Sequence, residues 1–219
     1  VGRTFPELEL RIVDLESGEI LFPNPTKPHE GRALRGEIHV KGPQVMKGYY
    51  KNQEATDKVL REEWLNTGDI GMVTHNNCLK ILGRSKETIV LLSGENVEPV
   101  PIEGRIVESP FVSQCMVVGQ DQKFLGVLIV PDTEALRSAG VSASCFEDLK
   151  TNSQVQEILG IELRKLLCME NGFKSFERPT TWRLIEKNFE VGDELTNTFK
   201  LKRHVITRRY GDVIDSIYK

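Results

Sequence analysis

The chain has 219 residues, a formal net charge of −3 and a hydrophobic fraction of 39%, values ordinary for a folded protein of one large domain or two small ones. A slightly acidic balance excludes non-specific nucleic-acid binding by the surface as a whole, which needs a net basic face. No stretch approaches the ~20 apolar residues that a helix needs to cross a bilayer, so a transmembrane helix is excluded as well.

The first residues, Val1 to Pro6, carry neither an initiator methionine nor a charged-then-apolar signal segment, and the chain is expected to be a piece of a longer polypeptide. Leu8 to Val13 and Gly36 to Val40 alternate apolar and polar residues, which predicts two half-buried strands. Between them Pro23, Asn24 and Pro25, then Pro28, His29, Glu30 and Gly31, predict a loop, because proline cannot continue a central strand. Asn52 is a candidate N-cap for a short helix carrying Ala55, Val59 and Leu60 on one side. The first part thus reads as a β-rich, barrel-like subdomain.

Composition shifts around Gly83 to Lys86, the predicted domain boundary. A strand is expected over Glu87 to Leu92. Pro99 and Pro101 stand where proline opens a helix through Ile102, Ile106 and Val107, stopped by Ser109 and Pro110. The apolar runs Cys115 to Val118 and Phe124 to Val130, joined by a polar Gly119 to Lys123, predict a hairpin. Ser153 to Gln156 matches a capping box ahead of Val155, Leu159, Leu163, Leu166 and Leu167 at helical spacing. The fold class is therefore α+β, with a β-rich subdomain over 1–84 and a small mixed domain over 85–219. Cys78, Cys115, Cys145 and Cys168 are widely spaced, with no CxxC pair and no histidine at metal-ligand spacing. They are expected to be reduced thiols in a cytosolic protein, and no metal site is predicted.

Four segments carry candidate chemistry. In Trp64-Leu65-Asn66-Thr67-Gly68-Asp69 a carboxylate follows a glycine that lets a ligand approach the backbone, and an ionised carboxylate can accept two hydrogen bonds from adjacent sugar hydroxyls. A turn-capping aspartate is the alternative. Gly83-Arg84-Ser85-Lys86 and then Ser93-Gly94-Glu95-Asn96-Val97 follow, where Arg84 can equally be a solvated turn residue and Gly94 a hairpin turn. Near the end stands Leu195-Thr196-Asn197-Thr198-Phe199-Lys200-Leu201-Lys202-Arg203. Its basic residues, with Arg208 and Arg209, can form a solvated face. Glu103, near the start of its predicted helix, is explained by the helix dipole.

Taken in order, these segments resemble the adenylate-forming superfamily of acyl-CoA synthetases, luciferases and peptide-synthetase adenylation domains, and most of all its long-chain fatty acyl-CoA synthetases. The likeness extends from Phe5-Pro6-Glu7-Leu8 through Gly36-Glu37-Ile38 and Met46-Lys47-Gly48-Tyr49-Tyr50 to the lysine segment. It implies a C-terminal fragment of a long-chain fatty acid-CoA ligase: the end of a large AMP-binding domain, then a mobile C-terminal domain turning about a hinge near Lys86. By the same resemblance Asp69 holds the ribose of ATP and AMP, Arg84 contacts the ribose or phosphate side, and Gly94 lines the tunnel for the CoA thiol arm. Lys200 bridges the substrate carboxylate and the α-phosphate. Asn197 stands where the family is expected to have proline.

The implied substrates are fatty acid, ATP with Mg²⁺, and CoA, none held tightly by the chain alone. The missing N-terminal part would bring the triphosphate-gripping loop and the acyl pocket, so residues 1–219 alone are expected to be inactive. The implied location is cytoplasmic, with a membrane surface open as a partner of the parent. Two other readings remain: an adenylation domain that loads a carrier protein, and a non-catalytic nucleotide-binding module.

Overall fold

A computed structural model describes residues 2–24 and 31–219. The predicted loop residues Pro25, Pro28, His29 and Glu30 lie outside the described residues. The chain divides into two units, Val1–Lys86 and Glu87–Lys219.

The first unit is a curled half-barrel sheet of β1 (Glu9–Val13), β2 (Ile20–Phe22), β3 (Gly36–Lys41), β4 (Leu60–Arg61), β5 (Trp64–Val73) and β6 (Leu79–Arg84), together with helix α1 (Gln53–Val59). The order is β2-β1-β3-β5-β4, and β6 pairs with the second half of β5. Every pairing is antiparallel. The ten-residue β5 is the organising strand, since it lies against β3 on one edge and against β4 and then β6 on the other. Ile12, Ile38 and Val73 form the buried centre, with Leu10, Leu21, Phe22, Val40 and Leu79 packed around it. The Asn52 side chain caps α1 by accepting the Ala55 N–H at 3.0 Å, as its sequence predicts. Ala55 and Val59 are partly buried as expected, with Thr56 the buried residue beside them, but Leu60 is corrected: it has already left the helix for β4. Thr56 turns inward because its hydroxyl donates to the Asn52 carbonyl and accepts the Tyr49 N–H.

The second unit contains β7 (Ile89–Val90), β8 (Asn96–Val97), α2 (Pro99–Ile106), β9 (Val112–Val118), β10 (Gly126–Pro131), α3 (Thr133–Ser138), α4 (Phe146–Thr151), α5 (Ser153–Leu166), β11 (Thr181–Leu184), α6 (Arg203–Arg209) and α7 (Gly211–Tyr218). The predicted hairpin is present as β9 and β10, and β11 adds to β10 in parallel. Every residue of β10 is buried, because this three-stranded sheet has a core on each face. Side chains alternate across a strand. Cys115, Val117, Val127 and Ile129 therefore join Ile102, Ile106, Val155, Leu159 and Leu163 from α2 and α5. Their neighbours Met116, Val118, Leu128 and Val130 join Ile206 and Ile217 from α6 and α7.

Two local expectations are corrected. The strand expected over Glu87 to Leu92 shrinks to Ile89–Val90, because Ser85–Glu87 is a single 3₁₀ turn and a tight turn begins at Leu91, whose carbonyl accepts the Gly94 N–H at 2.8 Å. The cap of α5 is Asn152 rather than Ser153: its side chain accepts the Gln154 and Val155 N–H groups at 2.9 and 3.3 Å. The longer, amide-bearing side chain one position earlier reaches both orphan donors. Among the described residues, no helix is long and apolar enough to cross a membrane.

Candidate functional site

Asp69 stands opposite Arg84 across the β5/β6 ladder, and the Arg84 Nε donates to the Asp69 Oδ1 at 2.8 Å. The sequence places Asp69 at a turn, but it lies inside β5, and a bulge supplies the local turn. Glu37 pairs with Ile70 and His39 with Asn66, so Ile38 of β3 faces the three residues Thr67, Gly68 and Asp69. Extra residues of this kind bend a strand and re-aim a side chain. Gly68 takes φ +70°, a left-handed conformation that costs a side-chain-bearing residue and that glycine adopts freely.

Polar side chains fix the bulge. The Thr67 hydroxyl donates to the Ile38 carbonyl at 2.8 Å and accepts the Asp69 N–H at 3.1 Å. The Asn66 Oδ1 accepts the Gly68 N–H at 2.9 Å, and its amide donates to Glu37 Oε2 at 2.8 Å. Glu37 in turn lies 3.3 Å from His39 Nε2, and Arg11 bonds the other ring nitrogen while stacking on Trp64. Burial lowers the His39 pKa against the opposing pull of Glu37. Glu37 and His39 stand outside the contiguous motif and reach the bulge only through strand pairing. Their two-residue spacing on an alternating strand is the signal that puts them on one face.

Lys86 is exposed in the 3₁₀ turn that ends the first unit. Gly94 has φ +84° with open space where a Cβ would project, so backbone conformation, rather than crowding within the chain, calls for glycine.

Lys200 is exposed near the tip of a hairpin in the second unit, whose flanks meet in a bridge between Leu195 and Leu201. The Thr196 N–H donates to the Lys200 carbonyl at 2.8 Å, and the Phe199 N–H donates to the Thr196 carbonyl at 2.9 Å. The Thr196 hydroxyl accepts the Lys200 N–H at 3.1 Å and lies 3.0 Å from the Thr198 hydroxyl. Two threonines thus brace the turn in which Asn197 replaces the expected proline.

The base of this hairpin is clamped by charges. Glu194 is fully buried. Its carboxylate accepts the Glu190 N–H at 3.1 Å and pairs with Arg209, which also holds Asp193. Burial raises the Glu194 pKa, but the backbone donors and Arg209 outweigh it and leave it lowered. On the other side Gln114 brackets Phe189, accepting its N–H at 2.6 Å and donating to its carbonyl at 3.2 Å.

Glu103 corrects the helix-dipole explanation. Its Oε1 accepts the Val117 N–H at 2.7 Å and its Oε2 accepts from Arg203 at 2.6 Å, while Arg203 also donates to the Val117 carbonyl at 3.2 Å. The pair satisfies both backbone groups of Val117 on the outer edge of β9, which would otherwise stay unpaired. Burial pushes the Glu103 pKa up, opposed by Arg203 and the Val117 N–H. Arg203 and Arg209 are therefore committed to ion pairs, and the fully solvated basic face is excluded. No sequence signal links residues 100 apart in this way.

The structure thus brings Asp69 and Arg84 together in the first unit, and it places Gly94 and Lys200 in the second. Among the described residues, no group of three or more His, Cys, Asp or Glu side chains could hold a metal ion.

Residues 86–192 match the AMP-binding enzyme C-terminal domain. The chain belongs to the AMP-binding, adenylate-forming enzymes. Among curated relatives of this family, it is 34% identical to the chloroplastic long-chain-fatty-acid–[acyl-carrier-protein] ligase AEE15 of Arabidopsis thaliana, over 99% of this chain and 29% of that protein. It is 33% identical to the long-chain-fatty-acid–CoA ligase FadD15 of Mycobacterium tuberculosis, over 88% of this chain and 33% of the relative. The adenylation domain of a carboxylic acid reductase from Segniliparus rugosus, solved with AMP and a co-purified carboxylic acid, superposes with a TM-score of 0.75 at 27% identity, covering 97% of this chain and 32% of that one. The chain spans about a third of the length of the curated relatives it matches.

Proposed function

We propose that this chain is the C-terminal part of a long-chain fatty acid-CoA ligase, supplying the nucleotide-diol carboxylate, the hinge and the adenylation lysine. The observation that carries the reading is Asp69 fixed on the Gly68 bulge with Arg84 across from it. A strand interior has no structural need for a left-handed glycine followed by an oriented carboxylate, and such outliers gather where ligands bind. The Segniliparus domain, which binds AMP, supports the same assignment.

In the first step a fatty carboxylate oxygen attacks the α-phosphorus of ATP, the new acyl–O–P bond forms, and pyrophosphate leaves. Asp69 accepts hydrogen bonds from both ribose hydroxyls, and Arg84, already beside it, reaches the ribose or phosphate side. Lys200 meets the negative charge that gathers between carboxylate and α-phosphate. In the second step the CoA thiol attacks the acyl carbonyl, AMP leaves, and Gly94 leaves room for the thiol arm. Lys86 is the hinge between the two poses. Mg²⁺ would enter with the nucleotide phosphates, where it neutralises charge; no residues of this chain are assigned to it.

Asp69→Ala tests the reading in the full-length protein. Two charge-assisted hydrogen bonds of roughly 1.5–3 kcal/mol each are lost, so AMP affinity by calorimetry is expected to fall about a hundredfold or more. The Asp69–Arg84 pair is half-exposed, and such pairs add at most about 1 kcal/mol to stability. The melting temperature should therefore hardly move, and unchanged AMP affinity would refute the assignment. Residues 1–219 alone are proposed to be inactive, because catalysis needs both reactants held in register. Acyl-CoA formed by the purified chain would overturn that.

A second acceptor is favoured by one observation, the similarity to an acyl-carrier-protein ligase. Supplying the full-length protein with CoA or with a carrier protein separates the two.

A further inference from the structure

Phe199 combines two costs, a strained backbone and an exposed apolar side chain. Its φ is +60°, in the left-handed region where a bulky side chain is strained. The residue is 75% exposed. The hydrogen bonds from Phe199 N–H to the Thr196 carbonyl and from Thr196 N–H to the Lys200 carbonyl close a short hairpin turn, and the left-handed position of such a turn is ordinarily glycine. Glycine would relieve the strain and remove an apolar ring from water. Local folding therefore does not explain phenylalanine here, and an outlier that its own surroundings do not reward points to function.

What the ring meets follows from its neighbour. Phe199 and Lys200 are consecutive, with Cα atoms about 3.8 Å apart, and both stand exposed on one hairpin. An exposed cation beside an exposed aromatic ring matches an amphiphile whose carboxylate adjoins methylenes. On the proposed reading of Lys200, we infer that Phe199 is a positioning residue for adenylation: its ring packs on the alkyl chain next to the substrate carboxylate when Lys200 engages the carboxylate. The contact belongs to the first step alone. Burial of the ring against the chain is what offsets the strain, and it orders the hairpin in the pose that delivers Lys200.

The test compares wild type, Phe199→Gly, Phe199→Leu and Lys200→Ala in the full-length protein, with hexadecanoate as the carboxylate. Phe199→Gly is expected to keep or raise the melting temperature while lowering kcat/KM for hexadecanoate in adenylation at least tenfold, with KM for ATP unchanged. Phe199→Leu, which restores an apolar side chain, should recover most of the loss. Conversion of supplied hexadecanoyl-adenylate and CoA should stay within twofold of wild type in both. Unchanged adenylation in Phe199→Gly would overturn the inference, as would a lower melting temperature accompanying the loss, which would mark a structural role. If Lys200→Ala itself keeps wild-type adenylation, the underlying reading of Lys200 fails; if only Phe199→Gly is silent, the role of the ring alone fails.

Discussion

Lys200→Ala in the full-length protein is expected to lower the rate of acyl-adenylate formation by about 10²–10³-fold while leaving conversion of supplied acyl-adenylate and CoA near wild type. The size follows from removing one preorganised charge at a centre where negative charge develops, about 2.7–4 kcal/mol for comparable donors. The selectivity follows from the hairpin. Lys200 is exposed, and the turn is closed by the Thr196 and Thr198 side chains and by main-chain groups. Truncating it should leave the loop intact. Rapid-quench measurement of each half-reaction checks this, and equal losses in both would assign Lys200 to CoA binding or to folding.

Arg203→Met is expected to have the largest effect on stability. It leaves the Glu103 carboxylate buried without its cation and frees the Val117 carbonyl on the edge of β9. Breaking a buried pair from one side costs about 3–5 kcal/mol, which corresponds to a melting temperature lower by on the order of 10 °C in a domain of this size. The pH dependence has a definite sign. Glu103 already has its pKa raised by burial, and losing Arg203 raises it further. The folded state then holds a proton that the unfolded chain releases above about pH 4.3. Stability therefore declines as pH rises from there through the raised folded pKa. The deficit of Arg203→Met against wild type should be smaller at pH 5 than at pH 8. A melting temperature within 2 °C of wild type at pH 8 would show that the pair carries no such weight.

Much of the fold is legible in local pattern. Alternation marks β1 and β3, two apolar runs about a polar turn mark the β9/β10 hairpin, Pro99 marks the start of α2, and the spacing of Val155, Leu159 and Leu163 gives α5. Each of these depends on neighbours within a few residues. The candidate site is proposed from contiguous motifs, Thr67-Gly68-Asp69 and the Lys200 segment. What the sequence hid are relations across the fold. The bulge at Gly68 exists because β3 offers one residue against three, and register between strands is not written in either strand alone. Glu103 and Arg203 look like a helix-start acid and one member of a basic cluster until the edge of β9 brings them together. Glu194 and Arg209 repeat the lesson, since a buried carboxylate is recognisable only once its burial is known.

On the proposed reading the full-length protein activates a fatty carboxylate by adenylation. ATP–pyrophosphate exchange isolates that step, because exchange requires it to run in both directions and needs neither CoA nor a carrier protein. Exchange that depends on added hexadecanoate, and that falls by at least a hundredfold in Lys200→Ala, is the expected result. A full-length protein that binds AMP yet shows no hexadecanoate-dependent exchange would contradict the account and leave the nucleotide-binding module as the reading.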